Sequence, residues 1–355
     1  MANLLQTTHI FLDTQVFLEK NFQYESGHLE MLMNLASDKR ITLYLTSITV
    51  EEIKSNIIDS IKEAKRIINS LRQDGRILWN SKQPSFDNIF RDKFNSSTME
   101  SHLLEQFNQF SHEADINIID TNEVSPEDVF SKYFKQIAPF SRGKKKEEFP
   151  DAFTIAALEK WCEKNGERMY VVSGDQDMIS ACEISKYLIS VNKTEALLEL
   201  VTLDEDDVPD LAKKLLDQNL QSIEQQIKEQ FPYLGFWVED EEGDVEKVVV
   251  EDIKQTESYL VDFKDNVLFF DIVVNVTFSA DVIYDDLSYA IYDREDDRYY
   301  GVEREDITIK DSAEINVEVQ ISFNHQRPDD SKVNEVIVDS SKDIGIFVRR
   351  YSDDY

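Results

Sequence analysis

Along the first 200 residues, short apolar runs alternate with stretches in which apolar positions recur every three or four residues. Ile10, Phe11 and Leu12 form one such run, from His9 to Leu12, ending at Asp13; Val16, Phe17 and Phe22 then follow at helical spacing. Leu29, Leu32, Met33 and Leu35 continue that spacing, and Ile41–Leu45 reads as a second strand. After Thr46–Ser47, the positions Val50, Ile53, Ile57, Ile61, Ile67, Ile68 and Leu71 predict a helix of about six turns at ~3.6 residues per turn. Phe86, Phe90, Phe94, Leu103, Leu104 and Phe107 predict more helix within residues 80–112, and Ile116–Ile119 a third strand ending at Asp120. Pro150 and Asp151 lead into the amphipathic AFTIAALEKWCEK, and Met169–Val172 is an apolar strand running into Ser173–Gly174, with Asp175 and Asp177 opening the next helix. Strand and helix alternating in this way predict an α/β fold, a parallel sheet with helices on both faces.

Beyond residue 200 the pattern changes. Leu211, Leu215, Leu216, Leu220, Ile223 and Ile227 predict an amphipathic linking helix. From Trp237 the period becomes two. Leu268, Phe270, Ile272, Val274, Val276 and Phe278 alternate with a partly polar face, and Ile315, Val317, Val319, Ile321 and Phe323 with Glu314, Asn316, Glu318, Gln320 and Ser322. Val248–Val250, Ser258–Phe263, Ser288–Tyr292, Val336–Val338 and Ile344–Val348 are shorter candidates. This region predicts an antiparallel sheet or sandwich with one wet, acidic face. The expected organisation is an α/β domain over 1–202, an acidic linker and helix over 203–232, and a β-rich accessory domain over 233–355.

Charge supports that division. Of a net charge of -33, residues 1–200 contribute -8 and residues 201–355 contribute -25. So acidic a chain repels anionic membranes and nucleic-acid backbones except at local basic patches. One such patch exists: Arg142, Lys144, Lys145 and Lys146, in the loop before Asp151. The two cysteines, Cys162 and Cys182, are too few for a disulfide framework, and no signal-peptide pattern or long apolar span occurs, so a cytoplasmic protein is expected.

Right-handed crossovers place the carboxyl ends of the strands along one edge, where open α/β sheets hold their sites. Asp13 and Asp175 come from that edge, and Glu52 and Asp151 from the first turns of helices that start near it. Taken singly, Asp175 reads as a helix cap and Asp151 as an acid at a helix start. Taken together, the four cannot all stay ionised in one cleft unless a cation neutralises them, and oxygen donors suit Mg²⁺ or Mn²⁺. Such an ion can activate water for phosphodiester hydrolysis. The five scattered histidines give no zinc pattern, and neither a Gly-rich phosphate loop nor a G-x-S-x-G elbow is present.

FLDTQVF, TSITVEEI, the basic loop with FPDAFTIAAL, and VVSGDQDM, in that order, resemble the PIN-domain nucleases, in a bacterial branch with a long insertion before the third acid. The likeness covers about residues 8–200. It implies that Asp13, Glu52 (or its neighbour Glu51), Asp151 and Asp175 are catalytic metal ligands and that Asp177 is an accessory ligand. Thr14 and Ser173 would stand at the substrate, with Lys144, Lys145 and Lys146 on the phosphate backbone. The implied activity is a Mg²⁺- or Mn²⁺-dependent endonuclease, usually acting on RNA rather than DNA and often as a toxin or defence effector. The spacer of close to 100 residues between Glu52 and Asp151 separates this chain from the small toxin versions.

Two other readings stand beside it. One is a catalytically silent scaffold or protein-binding module that keeps the fold. The other, a hydrolase with Asp13 as nucleophile, needs a second acid two residues on, where Gln15 stands. In the acidic C-terminal region, Tyr289, Tyr292, Tyr299 and Tyr300 with Arg294, Arg298 and Arg304 read either as a recognition hairpin or as an edge hairpin with cross-strand pairs. That region is expected to bind protein partners, self-associate or control the nuclease.

Overall fold

The computed structural model describes residues 5–81, 95–140, 148–203, 208–288, 290–296, 298–324, 327–339 and 343–348. Two units emerge, residues 3–197 and 198–355.

The first unit runs β1 (His9–Leu12), α1 (Thr14–Glu19), α2 (Gly27–Ser37), β2 (Thr42–Thr46), α3 (Ser47–Asp74), α4 (Ser96–Glu113), β3 (Asn117–Ile119), α5 (Pro126–Lys135), α6 (Phe149–Asn165), β4 (Met169–Val172), α7 (Gln176–Ile184) and β5 (Leu188–Val191), then enters α8 (Thr194–Thr202). The strands form one five-stranded parallel sheet in the order β3-β2-β1-β4-β5. β1 and β4 read as continuous apolar runs because helices cover both sheet faces: Ile10, Phe11, Leu12 and Met169 to Val172 are all buried. Phe11, Tyr44 and Val171 share a core with Ala152, Ile155 and Leu158 of α6 and Met178 and Cys182 of α7. Elsewhere in the unit Phe17 packs edge-on against Phe107 and Phe110 of α4. Gly166, at φ +72°, ends α6 in the left-handed conformation that the turn into β4 requires. Lys20 pairs at 2.6 Å with the partly buried Glu195, whose carboxylate also meets His28 at 3.7 Å.

Of the sequence expectations here, the strands near His9, Ile41, Ile116 and Met169 and the long third helix all form, while α5, β5 and α8 are additions. Of the region expected to be helical over 80–112, residues 82–94 lie outside the described residues, as does the whole basic patch of Arg142, Lys144, Lys145 and Lys146.

The second unit opens with α9 (Val208–Gln230), followed by β6 (Phe236–Val238), β7 (Gly243–Lys264), β8 (Val267–Asp286), β9 (Ile291–Asp293), β10 (Arg298–Tyr300), β11 (Glu303–Asn324), β12 (Arg327–Val338) and β13 (Ile344–Ile346). Four long strands make an antiparallel sheet in the order β12-β11-β8-β7. Its apolar residues, among them Phe270, Ile272, Val274, Val276, Phe278, Val317, Val319 and Ile321, share a core with Leu215, Leu216, Ile223 and Ile227 of α9. The helix expected as a linker thus supplies one layer of this core. Strand β7 skips a residue against β8 at Glu246, Glu251, Thr256 and Val261, a bulge every five residues. Of the Tyr/Arg segment, Tyr292, Arg298, Tyr299 and Tyr300 lie in the short β9/β10 pair, in which Tyr292 and Tyr299 stand directly opposite with ring centroids 4.9 Å apart, while Arg304 belongs to β11 and Tyr289 lies outside the described residues. Among the described residues no helix is long and apolar enough to cross a membrane.

Candidate metal centre

The sheet order reverses at β1, whose neighbours are β2 and β4, and the crevice beyond the carboxyl ends of such strands is where this architecture places ligands. Asp13 follows β1 and Ser173–Asp175 follows β4 at that point; Leu12 pairs with Val172, and the Asp13 amide donates to the Val172 carbonyl at 3.1 Å.

Both oxygens of Asp13 are engaged. Oδ1 accepts from the Thr14 amide at 2.7 Å, and Oδ2 from the Ser173 hydroxyl at 2.6 Å. The Thr14 hydroxyl donates to Glu52 Oε2 at 2.9 Å, tying the start of α1 to the second turn of α3. Ser173 Oγ accepts the Asp175 amide at 3.1 Å. Asp175 also caps α7, its Oδ1 receiving the amides of Asp177 at 2.7 Å and Met178 at 3.1 Å. A continuous hydrogen-bonded path therefore runs Glu52, Thr14, Asp13, Ser173, Asp175. The alternative Glu51 lies on the exposed side of α3, paired with Lys54 at 2.8 Å.

Asp151 joins this group through its field. Burial, then repulsion from Asp13, Asp175, Glu52 and Asp177, pushes its carboxyl up to about 7. Burial likewise raises Asp13, against the bonds from Ser173 and Thr14, with Asp175 and Glu19 adding repulsion. Burial raises Glu52 too, opposed by the Thr14 bond and reinforced by Asp13. Five acids thus feel one another in one cleft, with Asp175 exposed at its mouth and Asp177 half-buried. Among the described residues no three of them bring oxygens all within 4.8 Å of one another. The donor set is all carboxylate oxygen, and its uncompensated repulsion fits a hard divalent cation, which would return these groups to their ionised forms.

Three threonines that the sequence reading passed over support the acids. Thr46, at the end of β2, caps α3 by accepting the Thr49 amide, and its hydroxyl lies 2.8 Å from that of Thr49 and 3.2 Å from that of Thr154. All three are buried. Thr154 sits three residues after Asp151, so this hydroxyl cluster fixes the first turn of α6 against the start of α3, which carries Glu52. The signal was present as a Thr one helical turn beyond a candidate ligand, but a lone Thr in an amphipathic helix has many other uses. Glu19, whose charge reaches Asp13, was passed over as well.

A family model described as PIN domain matches residues 10–178, a span that holds all five acids. No curated protein and no solved structure matches the chain.

Proposed function

We propose, from a first unit that belongs to the PIN-domain family of nuclease type, that this protein is a divalent-metal-dependent endonuclease hydrolysing phosphodiester bonds, with RNA its substrate in preference to DNA. The observation that carries this reading is the gathering of Asp13, Glu52, Asp151, Asp175 and Asp177 at one sheet edge, where burial first and then repulsion from the other four hold the Asp151 carboxyl up at about 7. In this reading Asp13, Glu52, Asp151 and Asp175 hold Mg²⁺ or Mn²⁺, and Asp177 supports them. The bound ion supplies charge neutralisation at the scissile phosphate and an activated water.

The chain's own residues do the rest. Ser173 and Thr14 hold Asp13 by both oxygens, so its orientation is set before substrate arrives. Thr14 orients Glu52 as well, which makes one hydroxyl the organiser of two ligands. Asp151, carried on the first turn of α6, completes the acidic cleft opposite Asp13 and Asp175, and burial with their repulsion holds its carboxyl up at about 7 until a cation offsets them. The cationic residues Arg142 and Lys144–Lys146, in the chain just before α6, offset the acidic surface for an approaching phosphate backbone. The protein is further proposed to serve in the cytoplasm as a toxin or defence effector restrained by its acidic second unit.

The test is cleavage of a labelled single-stranded RNA and a matched DNA in Mn²⁺ by the wild type and by Asp13→Asn. RNA cleavage that falls in the variant by more than the roughly 10- to 100-fold cost of losing a ligand's supporting partner establishes the activity and the site together. Equal cleavage by both proteins refutes the assignment.

A further inference from the structure

The helix α5 carries four aromatic or apolar positions within ten residues, PEDVFSKYFK, and needs only part of them to stay attached. Val129 is fully buried, and Tyr133 rests edge-on against the buried Phe140, with centroids 5.4 Å apart. Phe130 and Phe134, each one residue further round, lie in water, 45% and 76% exposed. The exposed rings are not isolated. Phe130 packs against Phe149 at 5.2 Å and faces Phe134 at 6.4 Å, and Tyr133 touches Phe134 at 5.3 Å and Phe149 at 5.2 Å. The cluster is thereby anchored at one end in the core and open at the other.

Its position carries the consequence. Phe149 is the first residue of α6, two before Asp151, so the cluster borders the helix start that carries this acid. Its charge setting is equally specific. In a chain of net charge -33, the one cationic run, Arg142 with Lys144–Lys146, is covalently bounded on both sides by members of this cluster, Phe140 and Phe149. α5 adds Lys132, which reaches Glu159 of α6 at 3.2 Å, and Lys135 in its last turn. Flat apolar faces beside positive charge match a ligand that is itself anionic and flat-faced. Unpaired nucleotides have that chemistry, because every base offers a π-face to stack on an aromatic ring, whereas a duplex keeps its faces to itself. Acidic protein segments would meet the cations but leave the ring faces uncovered.

We propose that Phe130 and Phe134 form a base-stacking platform that holds the unpaired nucleotides of a single strand next to the acidic centre. This inference rests on the nuclease reading for its ligand and deepens it by restricting the substrate to single-stranded nucleic acid. RNA and DNA share the stacking chemistry, so the platform sets strandedness, and the choice of sugar is left to the test.

The experiment measures binding and cleavage separately. Binding is followed by fluorescence anisotropy with Mg²⁺ in the full chain carrying Asp13→Asn, against labelled single-stranded RNA, single-stranded DNA of the same sequence, and the RNA duplex. Expected is a preference for single strands over the duplex, and binding weakened about tenfold or more when Phe130→Ala and Phe134→Ala are added, in a chain that stays folded by circular dichroism at the temperature of the assay. Phe134→Trp should keep the affinity and show quenched indole emission on binding, a signature that a purely structural ring would not give. Equal affinity of the double-alanine variant, or no single-strand binding by the Asp13→Asn chain, overturns the platform. So does loss of self-association in the double-alanine variant with strand binding unchanged, which would assign the face to a protein contact. Platform-dependent binding without cleavage by the wild type in any divalent metal supports the platform while refuting the nuclease reading.

Discussion

Removing the charge of Asp151 should stabilise the metal-free protein at neutral pH, although it removes a proposed ligand. In the folded chain the Asp151 carboxyl has moved from an ordinary 3.8 to about 7. Below about pH 4 it is protonated in both folded and unfolded states, and the shift costs nothing. Between about pH 4 and 7 the unfolded chain releases a proton that the folded chain retains, so stability falls as pH rises; above that the full cost is present. At 1.36 kcal/mol per pH unit the gap corresponds to about 4 kcal/mol, and solvent reaching the cleft reduces this to about 2 kcal/mol. For a unit of this size that is a change in Tm of roughly 4–8 °C. Thermal unfolding in EDTA should therefore place Asp151→Asn above the wild type by that margin at pH 8, with the gap closing near pH 4. Comparing two proteins that differ in one group cancels the titration of acids outside the cleft, and the difference that is left belongs to Asp151 together with the acids coupled to it. In Mn²⁺ the order should invert, because the wild type gains RT ln(1 + [L]/Kd) and the variant loses most of it. An Asp151→Asn chain no more stable at pH 8 in EDTA, or stabilised equally at pH 4 and 8, would refute the electrostatic account of the site.

Other expectations follow from single contacts. Glu52→Gln should abolish RNA cleavage while Glu51→Gln leaves it near wild type, since only Glu52 takes the Thr14 hydroxyl bond; a rate assay with both variants decides it. Thr154→Val should cost about 1 kcal/mol in denaturant unfolding and lower cleavage by loosening α6, with Thr154→Ser restoring both. Lys20→Met should destabilise by about 2 kcal/mol at pH 7. Burial alone would raise the Glu195 carboxyl, but Lys20 and His28 hold it below its ordinary value. That contribution is present above the unfolded pKa and lost as pH falls through the folded one, so urea midpoints of variant and wild type should converge below pH 4; a constant difference would argue against the pair.

The parallel sheet was legible because β1, β2 and β4 are buried on both faces and each ends in a hydroxyl or acid that starts a helix. β5 was missed because its four residues, LISV, alternate with nothing and follow α7 closely. In the second unit β8 pairs along its length and buries alternate residues, and its period of two is plain in sequence. β7 is equally long, yet only Val248–Val250 and Ser258–Phe263 stood out. Each bulge adds one residue and swaps the inward and outward faces, so no alternation survives beyond about five positions. At the candidate metal centre the acids could be ranked by their place after strands. The hydroxyls of Thr14, Ser173 and Thr46 could not be ranked as orienting groups, because that role depends on which two elements the fold brings together.

Those bulges have a second consequence. β7 is an edge strand of 22 residues, long enough to recruit another copy into continuous cross-chain pairing. Register with an incoming regular strand would fail every five residues, at Glu246, Glu251, Thr256 and Val261, and two of those positions present a carboxylate. Resistance to aggregation is thus written into the spacing of one strand as well as into net charge, and straightening it by deleting Glu251 and Thr256 would make even so acidic a chain prone to assemble edge to edge.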